Sequence, residues 1–138
     1  MLTPYQTLDA RTLVAPQIAL DSLAAYGDAG VVVVISHRPD DEDPGQPSAA
    51  EMADAAAAAG LRFVHAPVRG LPDAAAVTAT AAVLAALEHH ERVLMFCRSG
   101  ARSAMAWALA MRSLGHGEPD QLRDAAARAG YDLSRLPL

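Results

Sequence analysis

The chain alternates between short apolar runs and longer stretches with helical spacing. Residues 31–35 form a continuous β-branched run, which is typical of a strand buried on both faces of a parallel sheet. Three further short apolar runs predict strands, at residues 13–15, 61–66 and 92–96. The run 13–15 precedes a proline and is expected at a sheet edge.

Capping residues predict where the helices begin and end. Ser48 and Glu51 have the spacing of a capping box, and Asp73 can cap a longer helix. Pro119 suits the first turn of a last helix that ends at Gly130. The predicted helices cover residues 20–26, 48–60, 73–88, 103–114 and 119–130.

This order of strands and helices predicts an α/β fold. We expect three layers, with a central, mostly parallel sheet of four to five strands flanked by helices. Residues 1–138 are expected to form one domain, with a loosely ordered start over residues 1–12. Because sites in such sheets lie at the carboxyl ends of the strands, loops 36–47, 67–72 and 97–103 should converge.

The strongest chemical signal is the only cysteine, Cys97, at the predicted turn between strand 92–96 and the next helix. A thiol there faces a helix amino end and the cationic Arg102, both of which favour the thiolate. Backbone N–H groups of such a turn can also point at one anion. A small buried cysteine is the alternative, but it does not explain Gly100 beside Arg98 and Arg102. We interpret Cys97 as a nucleophile that handles an anionic group.

The composition limits the cellular compartment and the classes of partner that we expect. A single cysteine excludes an intrachain disulfide and a cysteine-rich zinc site, and it suits a reducing cytoplasm. A formal net charge of −5 argues against nucleic acid or an anionic membrane as the main partner. The longest apolar stretch, residues 74–87, is too short to span a bilayer, and the amino terminus shows no secretory signal. We therefore expect a cytoplasmic enzyme without a metal or a cofactor.

Several motifs carry a family resemblance. They are Cys-Arg-Ser-Gly-Ala-Arg-Ser from Cys97, His-Arg-Pro-Asp at 37–40, Pro-Gly-Gln-Pro-Ser-Ala at 44–49 and Ala-Gly-Tyr-Asp-Leu at 129–133. Together they resemble the bacterial β-lactamase-hydrolase-like, phosphatase-like domain family over nearly the whole chain. The resemblance implies a tyrosine-phosphatase-like fold, with Cys97 as nucleophile and Arg102 as the loop arginine. Because members are also described as rhodanese-type sulfurtransferases, both phosphoryl and sulfane-sulfur transfer stay open.

Departures from the tyrosine-phosphatase pattern in the cysteine loop and after strand 61–66 favour sulfur transfer. Four residues, rather than five, separate Cys97 from Arg102, and Phe96 stands where those phosphatases have histidine. The shorter loop resembles the rhodanese spacing and suits a terminal sulfur. Gly70 also takes the position at which dual-specificity phosphatases usually have a general-acid aspartate. Such an acid commonly contributes about 10²–10⁴ in rate to a reaction with a poor leaving group.

The main hypothesis is therefore a rhodanese-like sulfurtransferase. Cys97 takes the outer sulfur of thiosulfate or a small persulfide and passes it from a Cys97 persulfide to a thiol or cyanide. The resemblance adds a persulfide dioxygenase as a partner. One alternative is a cysteine-dependent phosphatase that acts on phosphotyrosine or a small phosphomonoester through a Cys97 phosphocysteine. The other is a non-catalytic carrier domain that senses sulfide or redox state.

Further residues are assigned to the site with Cys97 and Arg102. The expected substrate-binding residues are Arg98, Ser99, Gly100, Ala101, Ser103, Arg38 and Asp40. Arg38 would hold the anionic donor, while Asp40 would orient Arg102 or replace the missing acid, with Asp73 as the second choice. The acidic run 40–43 is otherwise interpreted as a solvated turn. We expect His37 to be structural.

Overall fold

A computed structural model describes residues 4–138 and contains one mixed sheet. Its strands are β1 (Gln6–Asp9), β2 (Thr12–Ala15), β3 (Val31–Ser36), β4 (Arg62–His65) and β5 (Arg92–Phe96). They lie in the order β1-β2-β5-β3-β4, and every pair is parallel except β1 with β2. The predicted α/β fold with a mostly parallel central sheet is confirmed.

The amino-terminal region differs from the prediction. Residues 6–9 form β1 rather than a loosely ordered segment, and β1 pairs with β2 as a hairpin. The run 13–15 consequently lies between β1 and β5 instead of at the sheet edge, and all of β2 is buried. The hydrophobic pattern does not predict β1, because only Leu8 of its four residues is buried. The part of the expectation that concerns residues 1–3 lies outside the described residues.

The helices cover both faces of the sheet. They are α1 (Leu23–Asp28), preceded by a 3-10 turn (Leu20–Ser22), α2 (Ala49–Ala58), α3 (Ala74–Ala86), α4 (Ala101–Ser113) and α5 (Pro119–Arg128). Helices α1 and α2 pack on one face through Tyr26 and Met52, and α3–α5 pack on the other around Trp107. Because successive side chains of a strand point to opposite faces, β3 and β5 need apolar residues at consecutive positions.

Caps begin two of the helices where the sequence predicts. The Ser48 side chain accepts the Glu51 N–H, the Glu51 carboxylate accepts the Ser48 N–H, and together they start α2. The Asp73 carboxylate accepts the Ala76 N–H and starts α3. None of the helices in residues 4–138 has the length and apolar character that crossing a membrane requires. The cytoplasmic location stays a prediction.

The strand register positions the site. Ser36 of β3 lies between Phe96 of β5 and His65 of β4, so these three strands end at the same level. The His37 N–H then donates to the Phe96 carbonyl at 2.8 Å, and the Val68 N–H donates to the His37 carbonyl at 2.9 Å. The loops that follow β3, β4 and β5 therefore meet at one edge of the sheet.

Candidate active site

Cys97 lies at the bottom of a tight loop between β5 and α4. Its side chain is fully buried, and its sulfur accepts the Gly100 N–H at 3.0 Å. Gly100 is the residue directly before α4, and its φ of 98° belongs to the left-handed region that favours glycine. The sulfur therefore faces the amino end of a 13-residue helix, where the helix dipole and the backbone N–H groups favour an anion.

Arg102, in the first turn of α4, is held along one edge of its guanidinium. Its Nη1 donates to Glu42 Oε2 at 2.8 Å and to the Val68 carbonyl at 2.7 Å, while Nη2 donates to Glu42 Oε1 at 2.9 Å. The Nε–H and the second Nη2–H, which share the other edge, remain for the Cys97 sulfur and a bound anion. The hydrogen bond with Glu42 is the main cause that raises the pKa of Arg102, and the Cys97 charge raises it further.

Glu42 connects Arg102 to a second arginine. Besides Arg102, its carboxylate accepts a hydrogen bond from Arg38 Nε at 3.0 Å. The hydrogen bond from Arg102 is the main cause that lowers the pKa of Glu42 to about 2. The Glu42 side chain is 25% exposed, so this part of the acidic run is not a freely solvated turn. Sequence reasoning missed Glu42, because nothing in the run distinguishes it from its acidic neighbours.

Arg38, which was expected to hold an anionic substrate, instead forms hydrogen bonds to other side chains of the protein. Its side chain is 5% exposed, and its remaining nitrogens donate to Gln17 Oε1 at 3.0 Å and Asp43 Oδ2 at 2.6 Å. All three guanidinium nitrogens of Arg38 therefore hold the acidic loop and the segment after β2. The exposed Arg98 bridges to the same Asp43 oxygen at 3.1 Å, from the rim of the site.

The two aspartates considered as substitute acids cap helices. Asp40 Oδ1 accepts the Ala49 N–H at 2.8 Å, in the first turn of α2, and the carboxylate on Arg102 is Glu42. Asp73 caps α3 and lines a cleft of about 360 Å³ with Val68, Arg69 and Leu71. Gly70, in the same loop, has a φ of 132°, and no atom lies within 4 Å of where its side chain would begin.

The remaining residues of the Cys97 loop differ in their exposure to solvent. Ser99 and Ala101 are exposed, and the Ser99 hydroxyl accepts the Ala101 N–H at 3.2 Å. Ser103 is fully buried, and its hydroxyl lies 2.8 Å from Nδ1 of His37. The structure thus brings Arg102, Gly100 and the helix amino end to Cys97 and turns Ser103 inward.

Tyr131 is a second residue that sequence reasoning did not assign. Its hydroxyl donates to the Ser99 carbonyl at 3.3 Å, and a side chain at Gly100 would collide with it. Burial is the main cause that raises the pKa of Tyr131, and the Cys97 charge adds to it. The only signal in the sequence was its place in the motif 129–133. Within residues 4–138, no group of three His, Cys, Asp or Glu side chains forms a potential metal site.

Comparison with known proteins gives a family match over most of the chain. The model of the family described as "Beta-lactamase hydrolase-like protein, phosphatase-like domain" matches residues 5–114. The β-lactamase hydrolase-like protein of Xylella fastidiosa strain Temecula1 is 30% identical over 129 residues. These residues cover 93% of this chain and 30% of that protein, so this chain spans about three-tenths of the curated relatives it matches.

Solved structures share the fold. A candidate phosphatase from Neisseria meningitidis superposes with a TM-score of 0.76 at 27% identity, covering 93% of this chain and 89% of that one. PTPMT1 gives a TM-score of 0.75 at 19% identity over 96% and 89% of the two chains. Kinase associated phosphatase, solved with its catalytic site cysteine replaced by serine, gives 0.70 at 15% over 94% and 83%. The fold is therefore tyrosine-phosphatase-like, as expected.

Proposed function

Because this chain belongs to the phosphatase-like domain family of β-lactamase hydrolase-like proteins, we propose that it is a cysteine-dependent phosphatase. One observation carries the proposal: the Cys97 sulfur, the Gly100 N–H and the open edge of Arg102 meet at the amino end of α4. This arrangement suits a thiolate nucleophile and a phosphoryl group whose charge needs fixed donors. The family match favours this alternative over the sulfurtransferase hypothesis.

The proposed reaction has two steps. The Cys97 thiolate attacks the phosphorus of a phosphomonoester, a sulfur–phosphorus bond forms, and the ester oxygen leaves with the electron pair of its bond to phosphorus. Water then attacks the phosphocysteine, releases inorganic phosphate and restores the thiolate. Arg102 and the N–H groups at the start of α4 stabilise the phosphoryl oxygens in both steps.

The residues around the Cys97 loop favour substrates whose leaving group needs no proton donor. Gly70 offers no proton donor to the leaving oxygen, and the carboxylates of Asp40 and Asp73 are engaged as helix caps. A leaving group that is stable as an anion needs no such donor. We therefore propose aryl phosphates, such as phosphotyrosine, rather than alkyl phosphates.

Sulfur transfer is the second candidate, favoured by the four-residue spacing from Cys97 to Arg102 and by Gly70. In this reaction the Cys97 thiolate attacks the outer sulfur of thiosulfate, the sulfur–sulfur bond breaks, and sulfite leaves with the electron pair. Cyanide or a thiol then takes the outer sulfur from the Cys97 persulfide. A persulfide dioxygenase is expected as a partner only if the protein transfers sulfur.

Matched assays separate the two candidates. We would measure p-nitrophenyl phosphate hydrolysis and thiocyanate formation from thiosulfate and cyanide, for the wild type and for Cys97→Ser. Mass spectrometry of the trapped protein would identify the adduct on Cys97. The proposal expects hydrolysis and a phosphoryl adduct that both disappear in Cys97→Ser. Sulfur uptake without hydrolysis would replace it with the second candidate.

A further inference from the structure

The peptide unit between Ser99 and Gly100 is hydrogen-bonded at both ends. Its N–H, from Gly100, donates to the Cys97 sulfur at 3.0 Å, and its carbonyl, from Ser99, accepts the Tyr131 hydroxyl at 3.3 Å. Because a trans peptide unit is planar, its N–H and its carbonyl point in opposite directions. A hydroxyl that holds the carbonyl away from Cys97 therefore also turns the N–H toward the sulfur.

The peptide units on either side are held by backbone groups. The Arg98 carbonyl accepts the Gln17 N–H at 3.4 Å, and the Gly100 carbonyl accepts the Ala104 N–H at 3.0 Å in the first turn of α4. The unit between them has no backbone partner within residues 4–138. Two side chains therefore set its orientation, and the sulfur is a weak acceptor whenever it carries no charge.

Gly100 allows this peptide unit to turn over. Rotation of the unit changes the φ of Gly100, which is 98° here, and glycine adopts positive and negative φ about equally readily. In the inverted orientation the Ser99 carbonyl oxygen would face Cys97, where its partial negative charge opposes a thiolate. Inversion would also break the hydrogen bond from the Tyr131 hydroxyl.

Tyr131 is itself fixed against the loop. Its N–H donates to the Ala126 carbonyl of α5 at 2.8 Å, and its ring packs on the core that contains Trp107. The hydroxyl lies so close to Gly100 that a side chain at Gly100 would collide with it. Burial is the main cause that raises the pKa of Tyr131, so the hydroxyl keeps its hydrogen and remains a donor at neutral pH.

We propose that Tyr131 is a positioning residue that keeps the Gly100 N–H directed at the Cys97 sulfur. This inference rests on the proposed role of Cys97 as a thiolate nucleophile. The Gly100 N–H stabilises the thiolate by a charge-assisted hydrogen bond before the reaction. When the sulfur loses its charge in the phosphocysteine, the Tyr131 hydroxyl still holds the peptide unit. The N–H is therefore in place when hydrolysis restores the thiolate.

Nuclear magnetic resonance can observe this one N–H. Ser99 and Gly100 form the only Ser-Gly pair in the sequence, so cell-free synthesis with ¹³C-carbonyl serine and ¹⁵N glycine gives a single correlated amide signal. We would follow the amide proton over a range of about pH 5 to 10, which includes the ordinary pKa of a thiol. The signal should move downfield as the thiolate forms, and Cys97→Ser should abolish this movement. Tyr131→Phe should lose at least half of it.

Iodoacetamide alkylation of Cys97, the only cysteine, measures the consequence for the nucleophile. Tyr131→Phe keeps the ring and removes the hydroxyl. It should move the midpoint of the alkylation profile to higher pH by about 0.7 unit, a fivefold change that corresponds to one neutral hydrogen bond. Arg102, the cation whose charge acts on Cys97, is unchanged in this variant.

Tyr5→Phe is the matched control, because it removes the hydroxyl of a tyrosine whose ring packs against Tyr26, with centroids 5.9 Å apart. It should leave the Gly100 signal and the alkylation midpoint unchanged. Thermal unfolding of both variants measures general support of the fold. A Tyr131→Phe variant that loses stability but keeps the wild-type signal and midpoint would overturn the inference, as would a wild-type Gly100 signal that does not respond to Cys97.

The outcome separates this inference from the proposed function. If Tyr131→Phe changes the Gly100 signal and the midpoint but the wild type hydrolyses no aryl phosphate, the phosphatase proposal is overturned and the role of Tyr131 stands. Efficient hydrolysis by the wild type, with both readouts unchanged in Tyr131→Phe, would overturn the role of Tyr131 alone.

Discussion

Arg102 and Glu42 are joined by two hydrogen bonds of 2.8 and 2.9 Å, which leave the other edge of the guanidinium free. The pair thus determines which donors face Cys97. Burial leaves only 17% of the arginine and 25% of the glutamate side chain exposed. An ion pair with two parallel hydrogen bonds and limited exposure holds its side chains in place more firmly than an isolated ion pair on the surface.

The lowered pKa of Glu42 makes this pair pH-dependent. A carboxyl whose folded pKa is about 2, against an ordinary 4.5, stabilises the fold above pH 4.5 and loses this contribution as the pH falls toward 2. We expect Glu42→Gln to reduce stability at pH 7 by on the order of 1 kcal/mol. The difference from the wild type should narrow below pH 4.5 in thermal unfolding.

Asp124→Asn, at an exposed position of α5, is the control for the loss of one negative charge. A stability difference between wild type and Glu42→Gln that stays constant from pH 7 to pH 3 would contradict the ion-pair assignment.

Gly100 is constrained twice, by its positive φ and by the Tyr131 ring against it. We expect Gly100→Ala to reduce stability by about 1–3 kcal/mol from the backbone conformation alone, with a further loss from the collision. Gly60→Ala isolates the first effect, because Gly60 has a φ of 78° and open space around it. Thermal unfolding of both variants measures the difference.

Adding Tyr131→Ala to Gly100→Ala should recover the part of the loss that comes from the collision. If Gly100→Ala and Gly60→Ala lose equal stability, Tyr131 does not constrain the loop.

At the scale of elements, helix ends do most of the positioning. The amino end of α4 faces Cys97, while Asp40 and Asp73 complete the amino ends of α2 and α3. Each of these two carboxylates already accepts a backbone N–H at a helix amino end. The elements therefore use these aspartates structurally.

Asp73 provides the test of this assignment. Asp73→Ala should cost about 1 kcal/mol of stability, whereas Asp73→Asn should cost little because asparagine caps about as well. We expect the pH–rate profile of p-nitrophenyl phosphate hydrolysis to be the same in Asp73→Asn as in the wild type. Loss of its basic limb in Asp73→Asn would identify Asp73 as a general acid.

At the scale of the whole molecule, Arg38, Arg98 and Arg102 form one ion-pair network with Glu42 and Asp43 at the edge where β3, β4 and β5 end. Arg38 and Arg98 share the Asp43 carboxylate, and Arg102 presents its free edge to the loop. An anion that binds there is linked to global stability, since it binds the folded state alone.

Inorganic phosphate should therefore raise the unfolding temperature of the wild type. The stabilisation is about 2.7 kcal/mol at a concentration one hundred times the dissociation constant. Arg102→Lys should lose most of it, because an ammonium does not bind an oxyanion through two parallel donors. Arg128→Lys, at an exposed position of α5, should respond like the wild type. Equal stabilisation of all three proteins would exclude Arg102 from the anion site.

The sequence by itself determined the features that depend on neighbouring residues. The apolar run 31–35 became β3, the capping residues Ser48 and Asp73 started α2 and α3, and Cys97 lies between β5 and the amino end of α4. Periodicity and capping are local, because burial of a strand or a helix end depends on residues a few positions apart. The family resemblance, confirmed by the family match, added the tyrosine-phosphatase-like fold.

Only the tertiary structure decided which distant side chains meet. Glu42 contacts Arg102 across 60 positions, and His37 contacts Ser103 across 66. Among the acidic residues 40–43, the path of the loop brings Glu42 to Arg102 and leaves Asp40 on a helix cap. β1 likewise acquires its structure from pairing with β2. Such contacts depend on the order and register of strands, which a pattern of neighbouring residues does not encode.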